Sequence, residues 1–141
     1  MRLFAIAGVV ALGLAEPTLA CSCLRTDTDR IRFDRASYVF SARITGAREL
    51  RDSSNPRIES SFAVGEVIKG DPSRLARLWS YLPFGPESNS CAISFTVGQS
   101  YIFLVSEDGL VHYCSGSRRY NPALEAHLVS TLRDLAQKKA P

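Results

Sequence analysis

Leu19-Ala20-Cys21-Ser22-Cys23 is the stretch that decides how this chain is read, because an apolar leader ends there and a cysteine framework begins. Upstream, Met1-Arg2 is a short positive start, and Leu3 to Leu14 is an almost unbroken apolar run. Glu16-Pro17 ends that run, and Thr18-Leu19-Ala20 places small residues at the positions a signal peptidase reads. This is the three-part anatomy of a secretory signal peptide. A membrane anchor fits less well, since twelve residues make about 18 Å of helix against a hydrocarbon core of ~30 Å. The expectation is a leader over residues 1–20 and one domain over residues 21–141, secreted or periplasmic. No second apolar run of spanning length follows, so the mature chain is not expected to be an integral membrane protein.

A cysteine just after the cut also raises lipoprotein processing. Such leaders place leucine three residues before the cysteine, whereas Leu19 is two before. An unmodified amine on Cys21 is therefore expected.

Removing 20 of 141 residues leaves 121, enough for one core. All four cysteines, Cys21, Cys23, Cys91 and Cys114, lie after the cut. An even count in a small exported domain reads as two disulfides, and the spacing lacks the Cys-x-x-Cys pairs of zinc sites. Cys21 and Cys23 are too close in sequence to bridge each other comfortably, so each reaches a distant partner, and two connectivities stay open. The net charge of +3 comes from scattered, mostly arginine side chains, with Arg118-Arg119 the only adjacent arginine pair. Nucleic-acid binding would need a denser stripe and is not expected.

Along the chain, Thr26 to Asp34 suggests a short helix capped by Thr26 or Asp27. Tyr38, Phe40, Ala42 and Ile44 alternate with Ser41, Arg43 and Thr45, the pattern of a half-buried strand. Arg48 to Ser60 reads as a loop. In a second strand, Phe62, Val64, Glu66 and Ile68 are expected on one face and Val67 on the other, ended by Lys69-Gly70-Asp71-Pro72. Leu75 to Leu82 gives a third strand with Leu78 and Trp79 as core. Tyr101 to Val105 and Leu110 to Tyr113 are two more, joined by the tight turn signal Asp108-Gly109. Asn121-Pro122 opens a last helix whose Leu124, Leu128, Leu132 and Leu135 form one stripe. Five short strands and a closing helix favour a mainly β, compact antiparallel barrel.

Catalytic chemistry is not apparent. His112 and His127 have no motif around them, and no nucleophile elbow, phosphate loop or His-Glu-x-x-His is present. Asp27, Asp29 and Asp34 read as solvated charges, and Glu66 has no acid partner in sequence. No enzyme activity, cofactor or resident metal is expected. The unusual group is Cys21: once freed, its α-amine has an ordinary pKa near neutrality, and with its own carbonyl it can chelate a metal through a five-membered ring.

The Cys21-Ser22-Cys23 start resembles that of mature tissue inhibitors of metalloproteinases and, more broadly, the netrin-like module. Similar segments follow in order: Ala36 to Ile44, Val67-Ile68-Lys69-Gly70, Ser90-Cys91-Ala92, Tyr101-Ile102-Phe103, Asp108-Gly109 and Tyr113-Cys114. Together they span roughly Cys21 to Pro122. The resemblance implies a five-stranded barrel of the oligonucleotide/oligosaccharide-binding (OB) type with flanking helices. It also implies the pairing Cys21–Cys91 and Cys23–Cys114. By the same resemblance, the amine and carbonyl of Cys21 would grip the zinc of a metalloprotease, with Ser22 entering the specificity pocket. Cys23 and the segment Ser88, Asn89, Ser90 and Cys91 would complete the contact edge of a monomer. The chain departs from the family in Leu24-Arg25-Thr26, where a proline segment is usual, and in lacking a third disulfide and a second subdomain. Netrin-like modules also serve as non-inhibitory binding domains, so the alternative is an envelope or extracellular protein-binding module.

Overall fold

The computed structural model describes Cys21, Cys23, residues 27–84 and residues 89–139, the side chains of Pro122 and Lys139 excepted. The expected leader lies outside these residues. Helix α1, Asp29–Arg35, starts later than expected and is capped by Thr28, whose Oγ1 accepts from Ile31 N at 3.4 Å. That phase turns Phe33 into the core, while Asp27 is freed to accept a 2.8 Å bond from Arg35. At the other end, Lys69 Nζ donates to the carbonyls of Phe33, Asp34 and Ala36 and sits 4.9 Å over the Phe33 ring. A cation at a helix C-terminus satisfies carbonyls that have no partner within the helix, and it complements the helix dipole. Lys69 thereby ties α1 to the sheet.

Strand β1, Tyr38–Leu50, pairs antiparallel with β2, Arg57–Lys69. Its inward residues Tyr38, Phe40, Ala42 and Ile44 are buried, as alternation requires. The stretch expected as one loop, Arg48 to Ser60, is instead mostly ladder, with pairing out to Leu50↔Arg57. Its polar composition reflects cross-strand charge: Glu59 accepts from Arg48 at 2.7 Å and from Arg57 at 2.6 Å. Hydrogen bonds from Arg48 and then Arg57 hold the Glu59 carboxyl below the usual carboxylate range. Its contribution to stability is thus full above the unfolded pKa of about 4.3 and is lost as pH falls through the lower folded value. Glu59→Gln should cost about 0.5–1 kcal/mol at pH 7, the range for a surface ion pair, and almost nothing near pH 2. Urea unfolding at the two pH values checks this, and an equal loss at both would refute it.

Simple alternation fails in the second half of β2. Ala42 pairs with Val64 but Phe40 pairs with Val67, so β2 carries one extra residue there. Ser41 Oγ accepts from Glu66 N at 2.8 Å inside this bulge, and a Cβ on Gly65 would meet Ser41 Oγ at 2.8 Å. The bulge puts Phe62 and Ile68, expected on one face, onto opposite faces and into different clusters. Val64 and Val67 are left exposed.

Strand β3, Leu78–Tyr81, is shorter than expected and pairs with β2. Leu78 points into the core, so Trp79, its neighbour along the strand, faces the other way and is only half-buried. Strand β4, Ser100–Val105, pairs with β1 and is buried from Tyr101 onward. A turn follows, with Gly109 at φ +79°, but its outgoing arm does not return along β4. Trp79 N donates to Gly109 O at 3.0 Å and Val111 N to Trp79 O at 2.8 Å, forming an isolated parallel bridge with Leu110 on the edge of β3. In place of the expected strand Leu110 to Tyr113, a 3-10 turn forms at Tyr113–Ser115, and β5, Arg118–Arg119, takes the place beside β4.

The five antiparallel strands form one sheet in the order β3-β2-β1-β4-β5. One face holds Phe40, Ile44, Leu78, Phe103 and Val111, with Phe62 and Phe95 packed against them. The other holds Val39, Ile102 and Leu104 under α1 and helix α2, Pro122–Lys139. Asn121 caps α2 as expected, its Oδ1 accepting from Ala123 N at 3.1 Å. Leu128 and Leu132 are buried with Val129, whereas Leu124, expected in the stripe, is 78% exposed on the first turn. No described helix is long and apolar enough to cross a membrane.

Candidate functional site

The chemistry expected of this chain centres on the cysteines, and the fold brings all four together. Cys21 bridges Cys91 with Cα atoms 4.9 Å apart, and Cys23 bridges Cys114 with Cα atoms 5.2 Å apart. The two bridges touch, with Cys21 Sγ 3.7 Å from Cys114 Sγ. Three of the sulfurs, those of Cys21, Cys23 and Cys114, lie within 4.8 Å of one another. All belong to disulfides, so they offer no thiolate to a metal. Disulfides of this kind suit an oxidising extracellular or periplasmic compartment.

The segment carrying Cys91 is fixed by local hydrogen bonds. Asn89 N donates to Leu82 O at 2.9 Å, just beyond the end of β3, and Asn89 Oδ1 accepts from Cys91 N at 2.8 Å. Ala92 N closes the turn on Asn89 O at 2.9 Å, and Ile93 N donates to the buried Ser80 Oγ at 3.0 Å. Tyr113 N donates to Cys91 O at 2.9 Å, which joins this segment to the one holding Cys114. Asn89, Ser90 and Cys91 therefore lie beside Cys21 and Cys23. Ser22 and Ser88 lie outside the described residues. The reading missed Tyr113, which stands 64% exposed beside the bridges. Its only signal in the sequence is its place next to Cys114.

The remaining candidates are committed elsewhere. Glu66 takes two bonds from Arg133 of α2, at 2.6 and 2.7 Å, and the guanidinium holds its carboxyl below the usual range. Burial pushes the half-buried His112 imidazole below its usual range. His127 is exposed on α2. Asp27 is not the solvated charge expected, since its side chain is 7% exposed beneath Arg35. Asp29 is shared between Arg32 and Arg118 at 3.5 and 3.6 Å.

What this site can do chemically is present a short segment, Cys21 to Cys23, anchored at both cysteines. The Cys21 side chain is pinned through Cys91, whose neighbour Ile93 is tied to Ser80 of β3. Such preorganisation removes much of the ordering cost of binding. No family model and no curated protein sequence matches this chain.

Proposed function

We propose that the mature chain is a netrin-like domain that inhibits zinc metalloendopeptidases through the free amine and carbonyl of Cys21. The observation that carries this reading is the cysteine pairing. Residues alone left two connectivities, and the pairing found, Cys21–Cys91 with Cys23–Cys114, is the one the resemblance implies. A closed barrel of the OB type belongs to the same reading. It is supported by the bridge at Trp79↔Leu110, which carries the chain beyond β4 back to the free edge of β3. A catalytic zinc keeps one coordination position for water, and a bidentate chain end there removes the nucleophile. Asn89, Ser90 and Cys91 would form the second contact edge beside Ser22 and Cys23, with the inhibitor acting as an exported monomer.

The test is to compare the mature chain, beginning at Cys21, with a form carrying one extra alanine ahead of it. Intact mass first confirms an unacylated terminus. Against a panel of zinc endopeptidases, the extension should weaken inhibition about a hundredfold, equivalent to about 2.7 kcal/mol of lost metal coordination. Equal inhibition by both forms, or none by either, refutes the chelation mechanism. The binding-module reading would then take its place, on the outward row of Trp79, Tyr81 and Arg57. The Trp79 and Tyr81 rings meet edge to face at 5.7 Å, and the Arg57 guanidinium lies 5.9 Å from the Trp79 ring. These are the residue types that dominate protein interfaces.

A further inference from the structure

Several arginines are matched to carboxylates at short range, as Arg48 and Arg57 are to Glu59 and Arg133 is to Glu66. Three others gather in one place. Arg32 of α1 and Arg118 and Arg119 of β5 line a single groove of about 400 Å3, beside the Cys23–Cys114 bridge and under Tyr113. The carboxylates nearest them stand off. Asp29 is 3.5 Å from Arg32 Nη1 and 3.6 Å from Arg118 Nη2, and Glu125 is 3.3 Å from Arg118 Nε. Charged hydrogen bonds of full strength run at about 2.7–2.9 Å. Arg119 has a neutral partner, donating from Nε to the Gln99 side-chain oxygen at 3.2 Å.

Burial sharpens the imbalance. Among the described residues three buried side-chain polar atoms have no hydrogen-bond partner, and two of them are Arg32 Nε and Arg118 Nε, the second keeping only its ion pair with Glu125 at 3.3 Å. A buried N–H without an acceptor, as at Arg32 Nε, is costly and calls for an explanation. The site is also held in shape. A Cβ on Gly116, at φ +87°, would come within 2.7 Å of Arg32 Cδ, so the glycine is what lets the arginine stem pass. Buried Ser117 fixes the strand end beneath by bonding both N and O of Leu104, at 2.9 and 3.2 Å.

We infer that this groove binds a doubly charged tetrahedral oxyanion, a phosphate or phosphomonoester group, held by Arg32, Arg118 and Arg119. A carboxylate offers its oxygens in one plane and would only duplicate Asp29. A tetrahedral dianion offers oxygens in three directions, enough for three guanidinium forks. Occupancy would draw the Arg32 and Arg118 Nη groups away from Asp29 and onto the anion. This inference does not depend on protease inhibition. Two sources carry the chemistry: a small soluble phosphate, or the phosphomonoester headgroup of a lipid.

The experiment titrates inorganic phosphate into the disulfide-intact mature protein at constant ionic strength, following arginine Nε–H resonances by NMR. Saturable shifts of Arg32 and Arg118 are expected within about 10 mM phosphate. Arg32→Gln should weaken binding about tenfold, as loss of one charge-assisted contact does. Arg119→Gln, at an exposed position, should weaken it about threefold without touching the core. Asp29→Asn should tighten binding, since it removes the competing carboxylate, an effect that a purely structural arginine cluster would not show. Vesicles of phosphatidylcholine with and without phosphatidic acid form the second arm. Retention on the phosphatidic acid vesicles, reduced in Arg119→Gln and more so in Arg32→Gln, identifies the headgroup as the source, while free phosphate binding alone identifies a soluble one. Absence of saturable shifts together with absence of vesicle binding, or affinity unchanged in both arginine variants, overturns the inference.

Discussion

Either disulfide removed singly, as Cys21→Ser with Cys91→Ser or as Cys23→Ser with Cys114→Ser, is expected to lower stability by about 3.5 kcal/mol. Both removed together should cost about 8 kcal/mol. The asymmetry comes from topology. The bridges span 70 and 91 residues of sequence, but their ends are neighbours at both sides. With one bridge intact, the other closes a ring of only about 25 residues, running between the first two cysteines and back from 114 to 91, and the chain-entropy contribution of such a ring is smaller. With neither intact, the full long-loop entropy returns. A loss of about 8 kcal/mol exceeds the whole stability of many small domains, so the doubly reduced form should be largely unfolded at 37 °C. Urea unfolding of the variants, followed by Trp79 fluorescence, decides it. Single-bridge losses below about 1 kcal/mol would show that the amino-terminal segment adds little constraint.

Phe40→Ala is the second large expected effect, at about 3–5 kcal/mol. Phe40 is fully buried in β1, with its ring 5.6 Å from Phe62 and 5.5 Å from Phe103. Its removal leaves a cavity between three strands whose backbones are locked by ladder pairing, so little collapse can fill it. Phe40→Leu should recover more than half of the loss, because most of the volume returns. The readout is the urea midpoint at unchanged slope. A cost under about 1 kcal/mol for the alanine variant would place the stabilising core on the helix-covered face instead.

The sequence exposed those parts of the fold that depend on one apolar face. Tyr38 to Ile44 is legible because every second residue must be buried, and the last helix because Leu128 and Leu132 recur at its period. The arm of the β1–β2 hairpin was not legible, since its ladder rests on Glu59 between two arginines rather than on apolar alternation. The bulge at Gly65 and Glu66 leaves no trace in a two-residue period, which continues unbroken through it. Asp108-Gly109 announces a turn but cannot say which strand receives the outgoing arm. Leu110 pairs with Trp79 of β3, four residues before Cys114 and its bridge to Cys23. At the candidate site, the four cysteines were readable as two disulfides, whereas their pairing came from the resemblance and not from spacing. The arginine groove was invisible for a simpler reason: Arg32 and Arg118 are distant in sequence and meet only when the fold brings them both to Asp29.

The contact between the two bridges also orders events in time. Cys21 and Cys23 are the first cysteines to leave the ribosome, and their partners follow at positions 91 and 114. While the chain emerges, the early pair has no nearby partner but itself, and a ring so small is disfavoured. Both thiols therefore wait through the synthesis of β1, β2 and β3, several seconds at about 5–20 residues per second. Cys91 arrives before Cys114, so the Cys21 bridge is the first that can close, and the Cys23 bridge forms only after β4 and the turn beyond it have been delivered. Oxidation of the second pair is thus a receipt for the whole sheet except β5, issued at the end of the chain that was made first.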